Sequence, residues 1–298
     1  MITVIAAPPY ASVQDLGREG FRASGIPPSG VADRDTALFL NALLHNAPGA
    51  AMLEWAVAGG ILRFDSDVTF ALGGAVADVF IGGVNVPPYS PVCVRAADEL
   101  HIERLLHGRF LYIAVRGGIN VPLVLGSRST LMSASLGGHE GRRVRKGDVL
   151  CIGRENNENS DAPAHLVDDP GKVETAQKSH GHDDHELIPI IRGPQAELFS
   201  ADTWSAFLRA RYTVSRASDR AGYRMDGPPL SHSGGAALPS EPTCVGAIQV
   251  PNGSPPIVLM NDGPTVGGYP KIAVIRSSAL SRFAQRAPGD GVTFVLED

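Results

Sequence analysis

The sequence has few cysteines and no long apolar run. Its three cysteines are an odd number without a Cys-x-x-Cys pair, so neither a disulfide framework nor a zinc site is expected. The longest uninterrupted apolar run, Phe110 to Val115, is six residues long, against the roughly 20 that a membrane-spanning helix needs. The N-terminus lacks the basic region and apolar stretch of a signal peptide. These absences predict a cytoplasmic protein with no membrane partner.

Several standard catalytic and cofactor motifs are also missing. The chain has no G-x-x-x-x-G-K-[S/T] loop, no dinucleotide fingerprint, no G-x-S-x-G elbow and no H-E-x-x-H pair. The missing phosphate loop does not exclude ATP binding, since many ATP sites lack one. No Met-Lys-Met sequence is present, so biotin is not expected to be attached to this chain. The net charge of −5 gives no basic surplus, which argues against a nucleic-acid partner.

Glycine and proline, by contrast, are abundant. The 34 glycines and 23 prolines favour many short strands joined by turns over long helices. Seven strand-like runs predict a sandwich or barrel in the first half; they are 61–64, 68–72, 79–81, 92–94, 100–102, 110–115 and 149–152. One helix with an Asp cap is predicted over 33–44 and a second over 204–211. Further strands are predicted at 212–214, 247–250, 257–260 and 292–296.

The charge is concentrated in one apolar-poor stretch, residues 154–186. It holds nine acidic and three basic residues, which leaves the remainder of the chain nearly neutral. We interpret it as an acidic linker between two β-domains, 1–153 and 187–298. Its histidines, His180, His182 and His185, are predicted to be solvated, because no other ligand cluster accompanies them. No metal site is therefore expected.

Four clusters combine charged residues with tight turns. The densest runs from Ser240 to Lys271, where Gly267, Gly268 and Pro270 would hold Tyr269 and Lys271 in one orientation. A pre-oriented lysine, nine residues after Asp262 and beside a strand bearing Gln249, suits an anionic or carbonyl substrate. A structural Lys–Asp pair remains the alternative. The other clusters, around Asp15-Leu-Gly-Arg18, Gly126-Ser-Arg-Ser-Thr130 and Ser218-Asp-Arg220, are equally typical of hydrogen-bonded turns.

These motifs together resemble one family, allophanate hydrolase subunit 2. It is also called the biotin-dependent carboxyltransferase or KipA family and includes the C subunit of the bacterial 5-oxoprolinase. The resemblance covers about residue 3 to residue 295; its motifs are Gln14-Asp-Leu-Gly-Arg18, Pro27-x-Ser-Gly-x-x-Asp33, Leu53-Glu54, Gly126-Ser-Arg-Ser-Thr130, Ser218-Asp-Arg-x-Gly-Tyr-Arg224, Gly246-Ala-Ile-Gln-Val-Pro251 and Asp262-x-x-Thr-x-Gly-Gly-Tyr-Pro-Lys-Ile-Ala273. It implies a mainly β fold of two tandem cyclophilin-like β-barrel domains with a few short helices.

The resemblance also implies partners and a choice of functions. The expected partners are a KipI-like (allophanate hydrolase subunit 1) protein and a LamB/YcsF-like protein. The favoured function is a subunit of an ATP-dependent amidohydrolase that opens 5-oxoproline to glutamate, with ATP bound in the complex. The alternatives are a regulator that opposes a KipI-like kinase inhibitor and a carboxyltransferase that uses carboxybiotin and urea. The absence of a biotin carboxylase or carrier segment in these residues disfavours the carboxyltransferase.

The resulting site prediction divides the residues into two groups. The catalytic group is Asp262, Lys271 and Glu241, in which Asp262 or Glu241 would position water or hold a solvent-reaching Lys271. The substrate-binding group comprises Arg224, Arg220, Gln249, Tyr269, Thr265, Arg18 and Arg128.

Overall fold

The computed structural model describes residues 1–56, 59–154, 187–234 and 238–297. The described chain is mainly β, as predicted, and divides into two compact units. The first contains Met1–Arg18 and the chain from Ser29 to residue 154; the second contains Glu19–Pro28 and the chain from residue 187 onward. The boundary predicted at 153 placed Glu19–Pro28 in the first domain, whereas its contacts place it in the second unit.

The first unit is built on a nine-stranded sheet that curls into a half-barrel. Its strands are β1 Ile2–Ala6, β2 Tyr10–Gln14, β3 Met52–Ala56, β4 Gly60–Phe64, β5 Val68–Ile81, β6 Val84–Asn85, β7 Val92–Val94, β8 Glu99–Val115 and β9 Val149–Leu150. The main strand order is β2-β3-β8-β4-β1-β9. Strand β5 pairs with β8 outside this order, and β6 and β7 pair with β5. The apolar residues of these strands form one buried core.

Two strands are longer than the sequence predicted. Residues 68–72 and 79–81 belong to the single strand β5, and 100–102 and 110–115 belong to β8. Gly74 and Gly108, which lie between the predicted runs, have φ values of 92° and 84°, and the β5–β8 register shifts next to Gly74. Glycine at such a bulge bends a strand without ending it.

The helix of the first unit begins where the sequence predicted. Helix α1 spans Arg34–Leu43, and Asp33 caps it by accepting a hydrogen bond of 3.0 Å from the Thr36 N–H. Buried positions along the helix lie against the sheet. A short 3₁₀ helix, Met132–Ala134, follows later in this unit.

The second unit is a closed seven-stranded barrel with the order β10-β17-β14-β15-β12-β11-β18. Its elements are β10 Leu187–Arg192, α2 Ala201–Arg209, β11 Tyr212–Val214, β12 Gly222–Asp226, β13 Glu241–Pro242, β14 Ala247–Gln249, β15 Ile257–Leu259, β16 Val266–Gly267, β17 Lys271–Ile275, α3 Ser277–Ala284 and β18 Gly291–Leu296. Two 3₁₀ helices, Arg22–Ser24 and Ala196–Leu198, belong to it as well. Strands β10 and β18 run parallel and close the ring, while β13 and β16 form a separate two-stranded ribbon.

An aromatic cluster fills the second unit. Phe207 of α2 stacks on Phe294 of β18 with ring centroids 5.1 Å apart, and Tyr212 and Phe283 pack around them. Burial raises the pKa of Tyr212 to about 12. The predicted helix 204–211 is α2, which begins earlier because Ser200 caps it.

Some predictions concern residues that the structure does not describe. The acidic linker 154–186, beyond its first residue, and the histidines at 180, 182 and 185 lie there, so the structure does not test them. Across residues 1–56, 59–154, 187–234 and 238–297, no helix has the length and apolar character needed to span a membrane.

An ion pair fixes the loop that leads into β9. The Arg142 guanidinium donates two hydrogen bonds to Asp148, of 2.7 and 2.9 Å, and the Arg145 N–H donates a third of 2.8 Å. The Arg142 hydrogen bond lowers the pKa of the Asp148 carboxyl below its ordinary value of 3.8. The ionised carboxylate therefore stabilises the folded first unit above that value.

We expect Asp148→Asn to lower the unfolding free energy of the first unit at pH 7 by about 1–3 kcal/mol, the usual contribution of a charged hydrogen bond. The wild-type advantage should disappear as the pH falls below 3.8 and through the lower native pKa, because the carboxyl then protonates in both states. Denaturant unfolding followed by Trp55 fluorescence, in a Trp204→Phe background, measures this unit. Asp226→Asn, at an exposed carboxylate, is the control. A pH-independent difference would contradict the assignment.

Candidate functional site

A buried lysine paired with a half-exposed carboxylate forms the centre of the candidate site in the second unit. The Lys271 Nζ lies 3.2 Å from the Glu241 Oε2, and the side chains are 5% and 44% exposed. Lys271 was predicted to reach solvent, which is wrong. Strand β17 has β10 and β14 on its two edges, so its first residue enters the barrel wall and its side chain is covered.

A glutamine that sequence reasoning missed joins these two residues. The Gln195 Nε2 donates to the Glu241 Oε2 at 2.6 Å, and the Gln195 Oε1 accepts from the Lys271 backbone N–H at 3.1 Å. Gln195 follows Gly193, where an ideal Cβ would lie only 2.1 Å from the Lys271 carbonyl oxygen. The Gly193-Pro194 turn after β10 is the only sequence signal that marks this close approach.

Gln249, predicted to bind substrate, lies opposite Lys271 across the β14–β17 pairing, next to a bulge. Its residue is 4% exposed, and its Nε2 has no hydrogen-bond partner within the described residues. An unpaired buried donor is costly, so one that persists in a native protein calls for an explanation, such as a bound group or a catalytic role. The Gln249 amide can therefore donate to a carbonyl or carboxylate oxygen.

Gly267 makes room for that amide. An ideal Cβ on Gly267 would lie 2.5 Å from the Gln249 Nε2 and 3.3 Å from the Thr243 Cγ2. Gly267 also pairs with Glu241 between β16 and β13. Gly267 of the ribbon is therefore surrounded by the Lys271–Glu241 pair, the Gln249 amide and Thr243.

Of the two carboxylates predicted to hold Lys271 or position water, Glu241 pairs with the lysine, whereas Asp262 pairs with Arg220. The Arg220 guanidinium holds it in a fork of 2.9 and 3.1 Å, and the two side chains are 2% and 11% exposed. The Asp262 N–H also donates to the Arg220 carbonyl at 2.9 Å. Asp262 lies three residues after the end of β15, and these bonds fix it to the loop before β12.

The remaining site residues predicted in this unit differ in their exposure and in their hydrogen bonds. Arg224 is exposed on β12; its backbone N–H donates to the Ser218 Oγ at 3.0 Å, and its carbonyl accepts from the Ser215 N–H at 2.8 Å. Tyr269 is 47% exposed two residues before Lys271. Thr265 is buried, and its carbonyl accepts from the Thr243 N–H at 3.0 Å. Thr265 therefore supports the ribbon, while Tyr269 is accessible to a ligand.

Arg22 belongs to this unit although it lies early in the sequence, and no motif marked it. Its Nη2 donates to the Thr243 carbonyl at 2.6 Å and to the Thr243 Oγ1 at 3.2 Å. The neighbouring Cys244 thiol has a pKa raised by partial burial, an effect that the positive charges of Arg22 and Lys271 oppose. Both cations thus act on the same thiol.

Arg18 and Arg128, also predicted to bind substrate, belong to the first unit and make structural contacts there. Arg18 is 1% exposed and donates to the Ser129 carbonyl. The Arg128 Nε donates to the Val121 carbonyl at 3.0 Å. Asp15 accepts from Ser127 and Ser129 hydroxyls and from the Arg128 N–H. These motifs form the hydrogen-bonded turns that were the alternative interpretation.

The arrangement in the second unit can stabilise charge on a small substrate. A fixed ammonium, a fixed amide donor and a half-exposed carboxylate are the groups that polarise a carbonyl and hold a proton or water. Hydrogen bonds from Lys271 and Gln195 hold the Glu241 carboxylate beside the ammonium, so little reorganisation of this pair is needed.

We expect Lys271→Ala to destabilise the second unit by about 2 kcal/mol or more, because a buried aliphatic stem is lost. Lys271→Met keeps the stem and leaves only the half-exposed Glu241 without its partner, so it should cost less than about 1 kcal/mol. Denaturant unfolding followed by Trp204 fluorescence, in a Trp55→Phe background, compares the two. Equal stability of both variants would contradict the buried position.

The comparisons with known proteins agree with the motifs. The family described as "Carboxyltransferase domain, subdomain A and B" matches residues 24–296. The C subunit of 5-oxoprolinase from Escherichia coli (strain K12) is 35% identical over 295 residues, which are 99% of this chain and 91% of that protein. The urea amidolyase of Lachancea kluyveri is 30% identical over 298 residues, 96% of this chain but 16% of that protein. The urea carboxylase structure of Kluyveromyces lactis matches with a TM-score of 0.88 and 28% identity, covering 100% of this chain and 27% of that one.

Proposed function

Because the chain belongs to the family of the carboxyltransferase domain, subdomains A and B, together with the C subunit of 5-oxoprolinase, we propose that it is a subunit of a 5-oxoprolinase. The reaction is the ATP-dependent opening of 5-oxoproline, a five-membered cyclic amide, to glutamate. The observation that carries this proposal is the similarity to the bacterial 5-oxoprolinase subunit. That protein is 35% identical over 99% of this chain, against 30% for the urea amidolyase.

The residues of the second unit suit an amide substrate. The Gln249 Nε2 is a buried donor without a hydrogen-bond partner in the described chain, which a carbonyl oxygen of the amide would satisfy. The Lys271 ammonium lies across the same strand pair and would stabilise negative charge that develops on that oxygen. Glu241 holds the ammonium and, being half exposed, can also position water.

Asp262 has a different proposed role from Glu241. Its carboxylate is occupied by the Arg220 fork, so it acts as a positioning residue for the segment that leads to the ribbon. The same hydrogen bonds to Asp262 occupy the Arg220 guanidinium, so Arg220 cannot bind a substrate through that fork. Of the predicted catalytic residues, Lys271 and Glu241 therefore remain the candidates for direct contact.

ATP is assigned to the complex and not to this site. The Lys271 and Arg220 charges are each matched by a carboxylate, whereas a triphosphate needs several cations that are not already neutralised. The described residues around Lys271 do not fit that group. We assign ATP binding to the partners, a KipI-like and a LamB/YcsF-like protein, in the cytoplasm.

A carboxyltransferase is the second candidate, because the urea carboxylase structure matches the whole chain with a TM-score of 0.88. Such a role requires carboxybiotin carried by another chain. The same ammonium and amide donor would then face a carboxyl group and urea.

The isolated chain should show no 5-oxoproline-dependent ATP hydrolysis, whereas the complex reconstituted with both partners should form glutamate. The reason is that the chain supplies amide recognition and the partners supply the nucleotide. Co-expression, co-elution and coupled assays with 5-oxoproline or with urea and carboxybiotin provide the measurement. Turnover by the isolated chain would contradict the subunit proposal, and carboxyl transfer to urea alone would favour the second candidate.

Gln249→Leu should lower the activity of the complex by roughly 10²–10³, the usual loss for one oxyanion donor. It should not lower the melting temperature, because the Gln249 Nε2 donates no hydrogen bond within the described residues and its removal relieves a buried unpaired donor. Gln195→Leu is the contrasting variant. It removes two hydrogen bonds and should lower both stability and activity. A destabilised Gln249→Leu with full activity would show that the amide is structural.

A further inference from the structure

Arg22 reaches the second unit on a segment from the first part of the sequence. The segment Glu19–Pro28 lies between β2 and α1 in the chain but belongs to the second unit by its contacts. The 3₁₀ helix Arg22–Ser24 ends at Gly25, whose φ of 80° reverses the chain. This excursion places a guanidinium from the early part of the sequence beside Thr243.

The bonds of Arg22 fix the guanidinium without neutralising it. One nitrogen, Nη2, makes both hydrogen bonds to Thr243, and the acceptors are a carbonyl and a hydroxyl. No carboxylate lies within ion-pair distance of Arg22 in residues 1–56, 59–154, 187–234 and 238–297. By contrast, Lys271 is paired with Glu241, and Arg220 with Asp262. Arg22 therefore offers an unbalanced positive charge and donors at Nε and Nη1.

The position of Thr243 connects Arg22 to the candidate site. Thr243 follows Glu241 by two residues, and its methyl group and the Gln249 Nε2 flank the position that a Cβ on Gly267 would take. Glu241, which holds the Lys271 ammonium, pairs with Gly267 across the ribbon. Arg22, the free amide of Gln249 and the Lys271 ammonium therefore surround one region of the ribbon.

We propose that Arg22 binds the carboxylate of the substrate while the Gln249 amide donates to its amide carbonyl. The site then selects a cyclic amide that also carries a carboxylate. A guanidinium held by one nitrogen presents its remaining edge to a carboxylate in a planar, two-bond geometry. A neutral amide such as urea has no group for this position. The proposal rests on the proposed function and deepens it by assigning the substrate class and a specificity-determining residue.

The test uses the reconstituted complex and two substrates. 5-Oxoproline has the carboxylate, and 2-pyrrolidinone is the same lactam without it. Wild type should prefer 5-oxoproline. Arg22→Ala should raise the KM for 5-oxoproline roughly 10- to 100-fold, the range expected for a lost charged hydrogen bond. It should change kcat much less and leave the kinetics with 2-pyrrolidinone unchanged. Arg216→Ala, at an exposed arginine of the same unit, is the matched control.

Each alternative outcome has a separate meaning. If Arg22→Ala lowers turnover of both lactams equally, Arg22 only ties its segment to Thr243 and the proposal is overturned. Arg22→Lys keeps the charge but not the fork, and it serves as the test if the alanine variant does not fold. An Arg22→Lys complex with the wild-type KM for both lactams would also overturn the proposal. An active wild type with an unaffected Arg22→Ala contradicts only this inference. A complex that neither binds nor converts 5-oxoproline contradicts the proposed function and this inference together.

Discussion

The position of strand β17 in the seven-stranded barrel determines where the lysine of the candidate site lies. Strand β17 pairs with β10 on one edge and with β14 on the other, and Lys271 at its start is covered. A covered ammonium needs an opposite charge, since an unpaired buried charge costs several kcal/mol. The β13–β16 ribbon supplies Glu241, and the turn after β10 supplies Gln195 to hold it. Residues far apart in sequence therefore meet because of one strand position.

The balance of charge separates structural from functional cations in this unit. Arg220 and Asp262 form a closed, almost fully covered fork that can only hold two loops together. Lys271 is paired with a carboxylate that is half exposed, so a ligand can compete for it. Arg22 donates to the neutral oxygens of Thr243. The positive charge is progressively less neutralised from Arg220 to Lys271 to Arg22. In the same order, the three side chains become more available to an anion.

Local patterns predicted the elements and part of the site, and long-range contacts account for the rest. The cap at Asp33 and the short strands near 212 and 257 depend on neighbouring residues, so the sequence alone locates them. Lys271 was selected because of the glycines and proline before it, and Gln249 because it lies on a predicted strand of the same cluster. Gln195 is 76 residues from Lys271, and Arg22 is 221 residues from Thr243. Spacing cannot predict such pairs, because strand order in the barrel decides them. The sequence left the choice between Asp262 and Glu241 as the partner of Lys271 open for the same reason.

The excursion Glu19–Pro28 makes the second unit discontinuous in the gene. A fragment that begins at Leu187 would encode every barrel strand but not the guanidinium that bonds to Thr243. Recombination that exchanged the two halves between relatives would therefore transfer the barrel without its arginine, and the new first half would have to supply a matching one. The two halves are consequently one unit of inheritance, even though each folds around its own core.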